Sequence, residues 1–192
     1  STIKGFQRTT PYNSSFEYKV IDKLGTGSTG VVWRAKRRRS DRSLVPGEQQ
    51  AHHADLSPRS LDEKYEGKYA LKTMLSKKLQ ADLEKEIKIL DLLNHKNILE
   101  LFDVFELKQR VFMVTNVCAG SDLNSRDPYT ESEASYILQM VISAVCHMHH
   151  KNVVHRDLKY ENVMFVSNCP RSEIKIIDFG SSTSSKPNGY MR

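Results

Sequence analysis

The 192-residue chain is 39% hydrophobic and 27% charged, with a net charge of +6, a balance that fits one globular domain or two small lobes able to bury a core. No apolar run approaches the ~18 residues that a membrane span needs. Residues 1–10 lack the apolar stretch of a secretory signal, and Cys118, Cys146 and Cys169 form an odd set without metal-ligand spacing, so reduced thiols and a cytoplasmic or nuclear location are expected.

In chain order, residues 18–24 read as a strand, 25–30 as a glycine-rich turn and 31–35 as a second strand, together a hairpin. From 36 to 67 apolar residues thin out and Ser, Pro and Gly punctuate the chain, which reads as a long, disordered insertion. Much of the positive charge sits at its start, in Lys36, Arg37, Arg38, Arg39 and Arg42, with no aromatic residue interleaved. That pattern favours a solvated loop over a nucleic-acid partner. A short strand follows at 68–74, then a helix at 77–93 whose Leu79, Leu83, Ile87 and Leu90 recur on one face. Strands at 98–106 and 110–117 flank a Lys108-Gln109 turn. A second helix is predicted over 130–150, with Thr130 as cap and Glu131 and Glu133 in the first turn. Its buried face is expected to be Tyr136, Ile137, Met140, Val141, Ala144 and Met148. Short strands at 163–166 and 174–177 precede a Ser- and Gly-rich tail from Ser181 that reads as mobile.

Three stretches carry chemistry. The run Gly25, Thr26, Gly27, Ser28, Thr29, Gly30, Val31, Val32 matches GxGxxGxV. Glycines let the backbone approach a polyphosphate and offer it N–H groups. The residues after it are β-prone, so the loop reads as a flap between strands and not as the start of a helix. Lys72 lies near the end of the strand at 68–74 among apolar neighbours, and a functional role for it needs an anionic ligand and a partner acid to hold it. The following helix offers Glu84 and Glu86, about 200° apart around its axis. Glu86 shares the face of Leu83 and Leu90 and should turn inward, while Glu84 faces solvent.

The strongest feature is His155, Arg156, Asp157, Leu158, Lys159, Tyr160, Glu161, Asn162. It places a base, a cation and an oxygen donor in one loop between a helix and a strand. Sixteen residues after Asn162 comes Asp178-Phe179-Gly180, at the end of an apolar strand. An aspartate there suits Mg²⁺, a hard ion that prefers oxygen ligands. His147, His149 and His150 at the end of the second helix lack the partners of a zinc site.

With these motifs in this order, the chain resembles a eukaryotic protein kinase of the serine/threonine type over roughly residues 18–180. The resemblance implies an α+β, two-lobed fold. Its first lobe (18–117) is an antiparallel sheet with one key helix, after an N-terminal extension at 1–17. Its second (118–192) is a partial, mainly helical lobe ending in the activation segment. The implied cofactors are ATP and Mg²⁺, and the implied partner is a protein substrate with a Ser or Thr target. Gly25, Thr26, Gly27, Ser28, Thr29 and Gly30 would cover the phosphates, and Lys72 would contact them while paired with Glu86. Asp157 would take the substrate proton, Lys159 would neutralise the transferred phosphoryl group, and Asn162 and Asp178 would hold the metal. Leu24, Val32, Ala70 and Met164 match the residues that sandwich adenine, Thr115 the back of that pocket, and Asn116 and Cys118 the hinge. Leu90, Leu101, His155 and Phe179 match the hydrophobic stack that aligns the lobes.

Glu161 and Asp122 match acids that face an upstream arginine in kinases preferring basic substrates. Within the family the motifs around His155 and Asp178 are most similar to calcium/calmodulin-dependent or calcium-dependent kinases. No EF-hand loop occurs, so a calcium-linked regulator is expected outside the chain. The chain departs from the family in Tyr160, where Pro is usual, in the short segment 123–129, and in having no Ala-Pro-Glu after Gly180. The C-terminal part of the domain is therefore expected to be missing. Two other readings stand beside catalysis: a nucleotide-binding interaction module without transfer activity, and a truncated fragment. Serines in 181–185 are candidate phosphosites.

Overall fold

The computed structural model describes residues 2–4, 16–27, 30–39, 66–75, 80–107, 110–126 and 128–184. Ser28 and Thr29 of the glycine loop, the bulk of the expected insertion, the first residues of the helix predicted at 77–93, the Lys108-Gln109 turn and Ser185 lie outside them. The chain divides into two units, Ser1–Ser76 with Phe102–Thr115, and Lys77–Leu101 with Asn116–Arg192.

The first unit is built on a six-stranded sheet in the order β1-β2-β3-β4-β6-β5. Its strands are β1 (Thr2–Lys4), β2 (Phe16–Gly27), β3 (Gly30–Arg39), β4 (Glu66–Leu75), β5 (Leu101–Leu107) and β6 (Arg110–Asn116). Neighbours β1/β2, β2/β3 and β3/β4 are antiparallel. The strands outrun the sequence reading. Residues 36–39, assigned there to a disordered insertion, continue β3 and pair with 16–19 of β2. The composition was misleading because a run of cations carries no local strand signal, and it is the pairing with residues 16–19, not the run itself, that makes it strand. The inward positions carry the core: Tyr18, Ala35, Leu71, Phe105, Phe112 and Val114 form one buried cluster. Tyr18 and Phe112 each stack with Phe105, at 5.5 and 5.1 Å between ring centres, pairs that contribute about 0.5–1.5 kcal/mol each beyond their burial. The Tyr18 hydroxyl donates to Asp103 Oδ2 at 2.8 Å, and burial, then Asp103, pushes its pKa well up. Arg37 lies 4.4 Å over the Tyr69 ring, a cation–π contact made by one of the basic residues read as loop.

The second unit holds α1 (Gln80–Leu92) and α2 (Glu131–His150), with β7 (Val153–Val154), β8 (Val163–Phe165), β9 (Ile174–Ile176) and β10 (Thr183–Ser184). On α1, Leu83, Glu86, Ile87 and Leu90 are buried and Glu84 is exposed, as the helical period requires. The start of α2 closes a capping box: Thr130 Oγ1 accepts from Glu133 N–H, and Thr130 N–H donates to Glu133 Oε2 at 2.9 Å. Beyond its other end Asn152 takes a left-handed conformation (φ 56°), which Asn tolerates better than most residues. The buried stripe is Ile137, Met140, Ala144 and Met148. Tyr136, predicted on that face, is 42% exposed, because the stripe at spacings of three, four and four is narrow and Tyr136 lies about 40° beyond its Met140 edge. Val141 is half-buried.

β8 and β9 form an antiparallel hairpin. Ile98 bridges to Ile176, and Asn97 donates from Nδ2 to Ile174 O at 2.9 Å, so the loop after α1 is tied to β9. The tail from Ser181 is not loose over its described part. Thr183 and Ser184 pair with Val154 and Val153, and Ser182 is fully buried, its hydroxyl donating to His155 O at 3.2 Å.

Candidate active site

In the first unit the β2–β3 hairpin sets Gly27 opposite Gly30, Thr26 opposite Val31 and Gly25 opposite Val32, with a register shift between Lys23 and Gly25. Gly30 has a structural reason beyond ligand approach. A Cβ there would fall 1.9 Å from Thr73 O on the neighbouring strand. Val32 lies opposite Lys72 and Arg34 opposite Ala70 in the β3–β4 ladder. Side chains alternate along a strand, so Val32, Lys72 and Ala70 share one face. Leu24, in the same hairpin, is half-buried. Thr115, near the end of β6, is buried.

In the second unit the chemistry converges on Asp157. Its Oδ2 accepts from Lys159 Nζ at 2.9 Å and from Asn162 Nδ2 at 3.0 Å, and its backbone oxygen accepts from the same Nδ2 at 2.8 Å. The hydrogen bond from Lys159 is the main reason its pKa lies below the usual carboxylate range, and the same bond raises that of Lys159. Asp157 is thus held ionised as an acceptor. Asn162 is buried in a short 3-10 turn, Tyr160–Asn162. It spends its Nδ2 on Asp157, which leaves its carboxamide oxygen as the remaining donor atom for a cation.

His155 organises the loop from below. Its Nδ1 accepts from Asp157 N–H at 3.3 Å, which requires the neutral tautomer with Nε2–H donating to Ile177 O at 2.9 Å. Its ring meets Phe179 edge-on at 4.8 Å, and Leu90 on α1 is buried in the same unit. Leu101 is half-buried. Ile177 N–H donates to Asn162 O at 2.9 Å, and Arg156 Nε donates to Ser181 O at 2.7 Å. Residues 155–162 and 177–182 are therefore stitched into one piece. Asp178 and Arg156 both have positive φ, 59° and 66°. Such strain in non-glycine residues persists only where surrounding bonds over-determine it, and it concentrates at functional sites.

Asp178 Oδ1 accepts from Gly180 N–H at 3.4 Å, and Glu86 Oε2 lies near Gly180, 3.9 Å from where its Cβ would be. The oxygens of Asp178 and Asn162 are the hard donors that Mg²⁺ prefers, so the residues present fit that ion. Asn116 bonds Glu100 through both ends of its carboxamide, at 2.7 and 3.3 Å. Cys118 is half-buried and burial pushes its thiol up to about 11, so it is a poor nucleophile at neutral pH. Met164 is half-buried on β8, paired with Lys175 across the hairpin and bridged to Asp122. Asp122 Oδ1 accepts from Ser125 N–H at 2.7 Å, whereas Glu161 is exposed. At the end of α2, His150 Nδ1 is bonded to Cys146 O and the His147 ring lies against His95.

Sequence reasoning missed the positioning group Ser182. Its only signal was an unremarkable serine two residues after Gly180, in a run read as mobile. It missed likewise the tie from Arg156 to Ser181, a side-chain-to-backbone bond with no pattern in sequence.

Residues 59–192 match the family model described as the protein kinase domain. The chain is 42% identical over 173 residues to calcium/calmodulin-dependent protein kinase type 1 of Caenorhabditis elegans, an alignment covering 86% of this chain and 43% of that protein. It is 41% identical over 121 residues to the protein of the same name from Caenorhabditis briggsae, covering 59% of this chain and 34% of the relative. The chain thus spans less than half the length of these curated relatives.

Proposed function

The chain belongs to the protein kinase family, and on that premise we propose that it binds ATP with Mg²⁺ and transfers the γ-phosphoryl group to a serine or threonine hydroxyl of a protein. The observation that carries this reading is the Asp157 cluster, an ionised carboxylate held at 2.9 and 3.0 Å by Lys159 and Asn162. Asp157 receives the hydroxyl proton as the oxygen attacks. Lys159, already beside it, supplies positive charge where the phosphoryl oxygens gather negative charge. Asn162 and Asp178 would hold the metal, which when bound neutralises phosphate charge. The N–H groups around Gly25, Gly27 and Gly30 would receive phosphate oxygens, with Lys72 two strand positions from Ala70 on the same face. Lysine at position 159 supports serine/threonine over tyrosine as acceptor.

Glu161 is exposed and available to an arginine upstream of the target, while Asp122 has one carboxylate oxygen on Ser125 and offers the other. Preference for basic substrates therefore rests more on Glu161. The name that the relatives share supports calcium–calmodulin control, acting through a sensor outside these 192 residues.

A thermal-shift titration with Mg-ATP tests the binding step. A ligand at a hundred times its dissociation constant stabilises by about 2.7 kcal/mol, so the melting temperature should rise and saturate, and Asp178→Ala should shrink the rise. Incorporation of labelled phosphate into a serine peptide with an upstream arginine then separates transfer from binding. Asp157→Asn should cost at least roughly a hundredfold in rate. A saturating shift without phosphate transfer would favour a nucleotide-binding module, and no shift would refute the nucleotide site in this chain.

A further inference from the structure

The loop that carries Asp178 is fastened to His155 from both of its ends. Before Asp178, Ile177 O accepts from His155 Nε2 at 2.9 Å. After Gly180, the Ser182 hydroxyl donates to His155 O at 3.2 Å, and Ser182 N–H donates to Phe179 O at 3.0 Å. Between these anchors the Phe179 ring meets the His155 ring edge-on. All three residues are buried, Ser182 fully so. Opening the Ser182–His155 bond would leave a hydroxyl unpaired away from water, which costs more than the bond contributes when it forms. The neighbouring tie, Arg156 Nε to Ser181 O at 2.7 Å, comes from an exposed side chain for which water competes. Asp178 sits between the anchors at φ 59° and ψ 76°, a left-handed conformation that a non-glycine residue keeps only under constraint from its surroundings. Its own side chain adds little to that constraint, because Gly180 N–H reaches Oδ1 only at 3.4 Å.

We propose that the Ser182 hydroxyl is a latch that keeps Asp178 in its strained, metal-holding conformation, so that removing this one oxygen weakens the site for Mg²⁺ without removing a ligand. The inference rests on the reading of Asp178 and Asn162 as the residues that hold the metal. In the latched conformation their backbones lie side by side, Ile177 N–H donating to Asn162 O at 2.9 Å. Asp157 is the main cause of the raised Lys159 pKa, but the charge of Asp178 contributes as well, so its carboxylate acts on the same cluster. Without the latch, Asp178 is free to relax toward ordinary backbone angles and take its carboxylate with it. Ser182 touches neither metal nor nucleotide. It is a positioning residue, acting through His155 O and the turn at 179–182. When only a fraction of molecules holds the competent loop, the apparent affinity falls by that fraction and excess ligand restores occupancy. A lost latch is therefore recognised by a shifted Mg²⁺ midpoint with the plateau kept, whereas a lost ligand lowers the plateau.

Two measurements on the 192-residue chain test the latch. The first needs no ligand. In Ser182→Ala, hydrogen exchange at the N–H groups of Gly180 and residue 182 should quicken at least roughly threefold, as expected for one lost hydrogen bond. Phe165 and Val166 N–H, bonded to Ser121 O and Glu173 O, should keep their rates. The second follows the melting temperature at fixed ATP as free Mg²⁺ is raised. Ser182→Ala should need at least roughly threefold more Mg²⁺ for half of the rise, and still reach the parent's plateau. Ser182→Cys fills the same place with a weak donor and should shift the midpoint in the same direction. Added to Asp178→Ala, Ser182→Ala should change the Mg²⁺ response no further. Unchanged exchange overturns the latch whatever the chain binds. A lower melting temperature with a parental Mg²⁺ midpoint, or a Cys variant that matches the parent, makes Ser182 a packing residue and overturns it too. A parent chain without any response to Mg-ATP refutes the nucleotide site itself, and the latch then has no metal to serve.

Discussion

Gly30 and Gly25 look equivalent in the phosphate-loop pattern but answer to different forces. A side chain at Gly30 would sit 1.9 Å from Thr73 O and 3.0 Å from Thr73 C, both backbone atoms that cannot swing away, and its φ of +154° disfavours other residues. A Cβ at Gly25 meets nothing within 4 Å. Gly30→Ala should therefore cost about 1–3 kcal/mol, the range for overpacking, as read by urea unfolding. Gly25→Ala should stay within about 0.5 kcal/mol of the parent. Any loss of Mg-ATP affinity in Gly25→Ala would then report on the ligand alone. Equal unfolding midpoints for the two variants would refute the steric account. The pattern of glycines was legible in the sequence, and so was the inward turn of Glu86. The clash at Gly30 was not, because it depends on the register between β3 and β4, which no local pattern specifies.

At the scale of elements, the start of α2 was the most legible feature, since Thr130 and Glu133 stand at the spacing of a capping box. The structure closes that box, and Glu133 is held below its usual range chiefly by the Thr130 N–H and next by the Thr130 hydroxyl. Thr130→Ala keeps the N–H but removes the hydroxyl, and should cost about 1 kcal/mol of stability near neutral pH. The pH dependence has a definite sign. The folded pKa of Glu133 is depressed below the ordinary 4.5, so the carboxylate's contribution is complete above that value. It is lost as pH falls through the folded pKa. The gap in melting temperature between parent and Thr130→Ala should narrow on acidification to about pH 3. A gap that stays constant would mean that the carboxylate does not act through the hydroxyl. Element ends were less legible elsewhere. Residues 36–39 carry a run of cations that reads as solvent-exposed, and only the opposing residues 16–19 make them strand.

At the scale of the whole molecule, the order of the motifs was legible because phosphate chemistry demands particular residue types in short loops. The ties between distant segments were not. Asn97 read only as a helix stop, yet it is fully buried and joins the end of α1 to β9 across 77 residues. Two cores carry the two units, and each should open without the other. Phe105, stacked with both Tyr18 and Phe112, should cost about 3–5 kcal/mol when cut to Ala. Asn97→Ala orphans Ile174 O but also removes a buried Oδ1 that has no donor. These effects oppose each other, and the net loss should be nearer about 1 kcal/mol. Hydrogen exchange separates the two variants. Asn97→Ala should speed exchange at the N–H groups of Leu99 and Ile176, which bond Ile176 O and Asn97 O, and leave β2 to β4 protected. Phe105→Ala should do the reverse, because regions that open separately respond to their own contacts. If both variants loosened both sets of amides equally, the chain would be one cooperative block, and the division into two cores would fail as an account of its stability.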